Sequence, residues 1–404
     1  VALVLDAGGA RSAYQVGALE VLLPELAARG QRPSVLVGTS AGALLTGALA
    51  ATAHVPAEEQ ATRLRAVLDT ATKSNVMQPI WRQAPAVVAR YTSETLGLKG
   101  FRLRGFVGTG PLARTLEQAV DWDALHANVA DGTVEAVAAT ATAVRTGRVV
   151  MFTETARPDL LPDLPEGQGR KYVPARLGVE HLLASSAIPA LFPSVQVSEP
   201  EEAAGWYIDG ATRRRVPLAP GLELGADRII VVGTGSTRPG SPDPGRDSEM
   251  VDLGDGGATL LGAVMDDPLR HDLRRLAEVN AMAEDTDLAE VLGRHRVAAG
   301  IRPFRVVPYV AVAPTLGEEL ATVAMEVYRA NHGSLRRTLG DPDLQLVHRL
   351  LGSDSPLQGE LLSYLLFDPD FFEAAAGLGR RDARRWMEAN PDLWRTAPLH
   401  DDAG

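Results

Sequence analysis

Residues Val35-Leu36-Val37-Gly38-Thr39-Ser40-Ala41-Gly42-Ala43-Leu44 restrict the fold more than any other stretch of the chain. A β-branched, aliphatic run enters Gly-x-Ser-x-Gly, and small helix-forming residues leave it. The pattern predicts a buried strand turning sharply into a helix, with a serine at the apex. Gly38 and Gly42 suit such a turn because strand and helix approach closely there and the serine backbone is strained. The helix start would aim its N–H groups and positive dipole end at whatever the serine attacks. Ser40 is therefore a candidate acyl-transfer nucleophile. A Gly/Ser-rich turn before a core helix fits the same ten residues, since the motif alone is only a hypothesis.

The rest of the chain alternates in the same way. Strands are expected at 1–5, 35–37, 206–208, 228–232 and 304–312, and 135–143 with 148–153 reads as a strand pair. Helices are expected from 12 to about 26, at 41–51, 58–72 and 111–120, up to 186, and over 260–283. The alternation predicts an α/β fold, a three-layer, mostly parallel sheet with helices on both faces. Only helices follow Gly317, so residues 1–315 are expected to form the α/β domain and 316–404 a helical C-terminal extension. The Pro/Gly/Asp/Ser-rich stretch 236–257 reads as a loop or linker. Residues 75–106 mix aromatic and aliphatic residues with polar ones, which suits a lid over an apolar site or ordinary core packing. Leu361–Phe367 and Phe371-Phe372 are expected to pack against the main domain; a lid, a membrane-docking surface or a dimer contact are alternatives.

Composition narrows the function classes. A net charge of −11 in 404 residues argues against nucleic-acid binding and against a generally basic membrane-adhering surface. The chain has no cysteine, which removes disulfides, cysteine-zinc sites and thiol nucleophiles. Pro33 to Ala57 carries no Asp, Glu, Lys or Arg, yet its density of Gly, Ser, Thr and Ala argues against a membrane span. No signal peptide is legible at Val1, and the lack of an initiating methionine leaves a trimmed segment open. A cytoplasmic protein is expected, with transient membrane-surface contact left open. Oligomeric state is not readable.

A serine hydroxyl needs a base to take its proton. None of the eight histidines stands at an obvious strand end; His181 and His332 are the two that a Ser-His hydrolase could use. Asp209 follows the apolar strand Trp206-Tyr207-Ile208 and precedes Gly210-Ala211, at a strand's carboxyl end, where open α/β sheets place their sites. A carboxylate serves as general base when burial raises its pKa. An Asp-Gly turn is the plain alternative. Asp6-Ala7-Gly8-Gly9-Ala10-Arg11 is a glycine-rich turn whose N–H groups could stabilise an oxyanion or hold a phosphate. It lacks the G-x-G-x-x-G spacing of a dinucleotide site.

Together, Asp6–Tyr14, Gly38-Thr39-Ser40-Ala41-Gly42 and Asp209-Gly210-Ala211 resemble, in order and spacing, the patatin-like phospholipases. Ala184–Pro193 resembles that family's segment before the aspartate, and Leu222–Val232 the strand after it. The likeness is strongest over 1–235. It implies a dyad of Ser40 and Asp209, with Gly8, Gly9, Ala10 and Arg11 at the oxyanion hole. Gly38, Gly42 and Gly210 would support the motifs, and Arg11 would hold the loop or meet a phosphate. The implied reaction is hydrolysis of a fatty-acyl ester of a phospholipid or lysophospholipid through an acyl-serine, with no cofactor and no metal. An esterase or acyltransferase on another acyl substrate, and a lipid-binding pseudoenzyme, are alternatives. Two departures stand out. Ala7 and Ser12 replace the outer glycines of the first motif, which costs little unless φ is positive. Arg213-Arg214-Arg215 replaces a stretch that often carries Asn; a solvated loop is the plain expectation for it and a headgroup-binding basic patch the sharper one.

Overall fold

The structure is a computed structural model that describes residues 1–76, 108, 110–164, 166–189, 191–213, 215–237, 269–298, 303–316, 318–332 and 356–399. Most of the 75–106 segment, most of the 236–257 loop, Ala190 and Arg214 lie outside the described residues, as does the first part of the helix expected over 260–283.

Nine strands among the described residues form one sheet: β1 (Ala2–Leu5), β2 (Val35–Thr39), β3 (Ala136–Ala143), β4 (Val149–Glu154), β5 (Arg170–Pro174), β6 (Val195–Val197), β7 (Gly205–Asp209), β8 (Ile229–Val232) and β9 (Tyr309–Val312). Their order is β5-β4-β3-β2-β1-β8-β9, with β7 also on β3 and β6 on β7. From β3 through β9 along that path, every pairing is parallel. Both faces are covered. Ala2, Val4, Val35, Val37, Ile229 and Val231 enter one buried cluster, while Leu3, Leu5, Leu36, Ile230 and Val232 enter another. Strands buried on both faces read as unbroken apolar runs, which is why β1, β2 and β8 are legible in the sequence.

Strands β5 and β6 and the Trp122–Ala130 helix were not expected. β5 reads Arg-Lys-Tyr-Val-Pro and lies at the sheet's edge, where charges and proline are tolerated and the apolar signature fades. Only Tyr309–Val312 of the expected strand at 304–312 is extended into the ladder. Pro303 and Pro308 interrupt the stretch before it and have no N–H to give.

The Ser12–Ala28 and Pro369–Ala389 helices cross in close contact. A Cβ at Gly17 would fall 2.0 Å from the Ala376 carbonyl oxygen, and one at Gly379 would fall 2.0 Å from that of Tyr14. The Tyr14 hydroxyl donates to Asp382 at 2.9 Å within this contact. Leu362, Leu366, Phe371 and Phe372 join the same buried cluster as Leu3 and Leu19. Among the described residues, no helix is long and apolar enough to cross a membrane.

Candidate active site

Strand β3 changes partner halfway along. Thr140 pairs with Thr39 of β2, and the next residue, Ala141, pairs with Asp209 of β7. β4 occupies the other edge of β3, so β2 and β7 share one edge and meet end to end. β7 runs antiparallel to β3, so its carboxyl end arrives beside the carboxyl ends of the parallel strands from the opposite direction. This brings the turn after Thr39 and the carboxylate after Ile208 to one place.

Ser40 occupies that turn with φ 56° and ψ −127°. Only one other described non-glycine residue, Leu393, has a positive φ. Such a conformation costs on the order of 1–3 kcal/mol and persists only where surroundings hold it. The Ser40 N–H donates to Ser185 Oγ at 2.9 Å, and Ser185 Oγ donates to the Thr140 carbonyl at 2.7 Å. A Cβ at Gly42 would fall 2.5 Å from the carbonyl oxygens of Leu5 and Asp6, so the Ala41–Ala51 helix needs glycine there. The segment around Ser185 reads in the sequence as resembling the family, but the part Ser185 plays in holding the Ser40 turn is a long-range contact with no local signature.

Asp209 is 2% exposed. Its Oδ1 accepts the Ala211 N–H at 2.7 Å. Oδ2 is buried with no hydrogen-bond partner of ordinary length among the described residues. Loss of water raises the carboxyl from 3.8 to about 7, against the opposing pull of the Ser40 side chain, the Ala211 N–H and the Arg215 charge. A general base is most effective with a pKa near the working pH.

The loop between β1 and the Ser12–Ala28 helix closes the third side. Gly9 has φ +51°, a conformation suited to glycine. Ala7 and Ser12 are not among the positive-φ residues, so replacing glycine at those positions introduces no backbone strain. Among the described residues, the N–H groups of Gly8 and Gly9 have no hydrogen-bond partner. Preformed donors of this kind suit a developing negative charge.

The Arg11 side chain turns away from the loop's open face. It is 2% exposed, donates to Ser363 Oγ and, at 3.2 Å, to the Tyr364 hydroxyl, and lies 2.9 Å from the Glu360 carboxylate. Its guanidinium stacks 4.1 Å from the centre of the Tyr364 ring. This geometry joins the loop to the Pro356–Leu365 helix rather than to a solvent-facing phosphate. Arg215 differs from both expectations for its stretch. It is 3% exposed and pairs with the buried Asp6, because its backbone enters the core beside Val216 while Arg213 stays exposed.

Ser40, Asp209, Gly8, Gly9, Pro189 and Tyr364 line one cleft. Its volume of about 10 Å³ is room for roughly one water. His181 is not brought to Ser40. Its Nδ1 accepts the Gly178 N–H at 3.1 Å, its Nε2 donates to the Glu199 carbonyl at 2.8 Å, and burial lowers its pKa. His332 ends the Glu318–His332 helix. Among the described residues, no three His, Cys, Asp or Glu side chains are grouped to hold a metal.

A family model described as "Patatin-like phospholipase" matches residues 3–222, more than half of the chain. A solved structure, VipD from Legionella pneumophila, is similar at 12% identity and a TM-score of 0.34, over 96% of this chain and 66% of that one. The chain thus spans slightly less than two thirds of that structure's length. No curated protein matches the chain.

Proposed function

The chain belongs to the patatin-like phospholipase family; on that premise we propose that it is a lipid acyl hydrolase that cleaves fatty-acyl esters of phospholipids or lysophospholipids with Ser40 as nucleophile and Asp209 as base. The observation that carries the reading is the shared cleft of a strained serine and a carboxyl raised to about 7. Asp209 accepts the hydroxyl proton as Ser40 Oγ attacks the acyl carbonyl carbon. The carbonyl oxygen becomes an oxyanion, and the Gly8, Gly9 and Ala10 N–H groups stabilise it. The intermediate collapses to acyl-Ser40, and protonated Asp209 returns its proton to the departing alcohol oxygen. Water then gives its proton to Asp209 and attacks the acyl-serine; as the intermediate collapses, Asp209 returns that proton to Ser40 Oγ, the fatty acid leaves, and both residues are restored. No histidine is needed, since the buried carboxylate already has a suitable pKa.

Turnover of a p-nitrophenyl acyl ester tests the assignment. Ser40→Ala and Asp209→Ala are each expected to lose about three orders of magnitude or more in kcat, while folded His181→Ala and His332→Ala keep turning over. Activity surviving in Asp209→Ala would sink the dyad, and no turnover of any acyl ester by the folded wild type would favour the pseudoenzyme. Release of free fatty acid from phosphatidylcholine and lysophosphatidylcholine micelles decides the substrate class.

A further inference from the structure

The reaction just described leaves a buried ion pair without a task. Asp6 and Arg215 have side chains 0% and 3% exposed, with Arg215 Nε 3.7 Å from Asp6 Oδ2. Removing two charges from water costs several kcal/mol per ion, and apolar replacements of such pairs are often no less stable. Stability is therefore a weak reason for the pair.

Its position suggests a better one. Asp6 opens the loop that carries Gly8 and Gly9, and Arg215 closes the turn that begins at Asp209. These loops leave β1 and β7. No ladder joins those two strands, because β2 and the Ser40 turn lie between them. The contacts around the pair span that gap. The Ala7 N–H donates to the Arg215 carbonyl at 3.3 Å. Thr234 bridges the side chains: its N–H donates to Asp6 Oδ2 at 2.9 Å, and its Oγ1 accepts from Arg215 at 3.0 Å. The Thr234 hydroxyl proton has Asp6 Oδ2 at 3.1 Å and the Ala7 carbonyl at 3.2 Å within reach. Gln15 donates to Asp6 Oδ1 at 2.7 Å.

Resting on the assignment of Ser40 and Asp209, we propose that Asp6 and Arg215 are a positioning pair that clasps the oxyanion loop to the base loop across the Ser40 turn. Neither touches the substrate. Their charges are balanced beside Asp209, so breaking one partner changes the field at the base as well as its position. Among the described residues, the charged and titratable groups near this junction include Arg11, the Glu360 paired with it, and Tyr364, whose ring lies 5.5 Å from the Arg215 guanidinium.

The test compares Arg215→Lys, Arg215→Asn, Asp6→Asn and the Asp6→Asn/Arg215→Asn double variant, using p-nitrophenyl ester turnover by protein shown to be folded. Arg215→Asn removes a positive charge, so the acid limb of its pH–rate profile is expected to move to higher pH. Asp6→Asn removes a negative charge instead, and the limb moves to lower pH. The double variant returns the limb toward wild type but keeps a kcat lower by about tenfold or more, with KM little changed, because the clasp is gone. Arg215→Lys keeps the limb in place. If Arg215→Asn fails to fold, the double variant, which removes both charges, carries the test through kcat alone. Unmoved limbs in the folded single variants, or a near-wild-type kcat in the double, overturn the clasp whatever happens to the melting temperature. Those outcomes beside an inactive Ser40→Ala leave the dyad standing; an active Ser40→Ala overturns the dyad itself.

Discussion

Asp209 is 2% exposed, and its carboxyl is raised from 3.8 to about 7 by burial. A raised carboxylate pKa means that the folded state binds the proton more tightly than the unfolded one. Below about pH 4 the group is neutral in both states and carries no penalty; as pH rises through about 7 the folded protein must hold a buried charge. Asp209→Asn is therefore expected to abolish turnover yet melt higher than wild type at pH 8, by up to a few kcal/mol, with the gain fading toward pH 4. Calorimetry at the two pH values checks it; an equal or lower melting temperature at pH 8 contradicts the burial argument. If Asp209 is the base, the same titration is expected to put the acid limb of wild-type turnover near pH 7, far above that of an ordinary aspartate. Ser40 and Asp209 could each be picked out locally, one as a turn apex and the other as a strand end. Asp6 and Arg215 could not, because nothing in either segment announces a partner more than two hundred residues away.

Among the elements, the crossing of the Ser12–Ala28 and Pro369–Ala389 helices depends on two glycines with no room for a methyl group. Gly17→Ala is expected to destabilise the fold by about 1–3 kcal/mol, since overpacking forces backbone to move. Gly377, on the Pro369–Ala389 helix, has only the far end of Arg380, 3.9 Å away, beside its open side. Gly377→Ala should instead be neutral or stabilising by up to about 1 kcal/mol, as alanine favours helix over glycine. Urea unfolding of both variants checks the contrast, and similar midpoints would remove the packing argument. The central strands were legible because burial on both faces leaves continuous apolar runs. β5 and β6 were not, because edge strands face water and carry the charges and short lengths that keep them from pairing with other chains. The end of β7 was placed rightly as a strand terminus, but its antiparallel course was invisible, since strand direction depends on the partner it finds.

Across the whole molecule, the Pro356–Leu365 helix holds the Gly8-Gly9 loop through Arg11 and contributes Tyr364 to the lining of the cleft. Tyr364→Ala is expected to raise kcat/KM for a long-chain p-nitrophenyl ester more than for the acetate, since removing one lining ring widens the cleft. An unchanged ratio between the two esters would show that the chain enters elsewhere. By itself the sequence determined the α/β class, the strand–turn–helix at Ser40, the Asp-Gly turn at Asp209 and the glycine loop, because each depends on residues adjacent in the chain. Apolar runs, sterically small turn residues and helix starts act over a few positions, so their spacing is enough to read them. Only the tertiary structure decided that β7 returns against β3 to bring Asp209 to Ser40, that Arg11 faces Glu360, that Arg215 is buried on Asp6, and that Tyr364 joins the cleft lining. Those are contacts between distant segments, chosen by how the layers pack and where a buried charge can find its counter-charge, and they leave no periodicity in either segment alone.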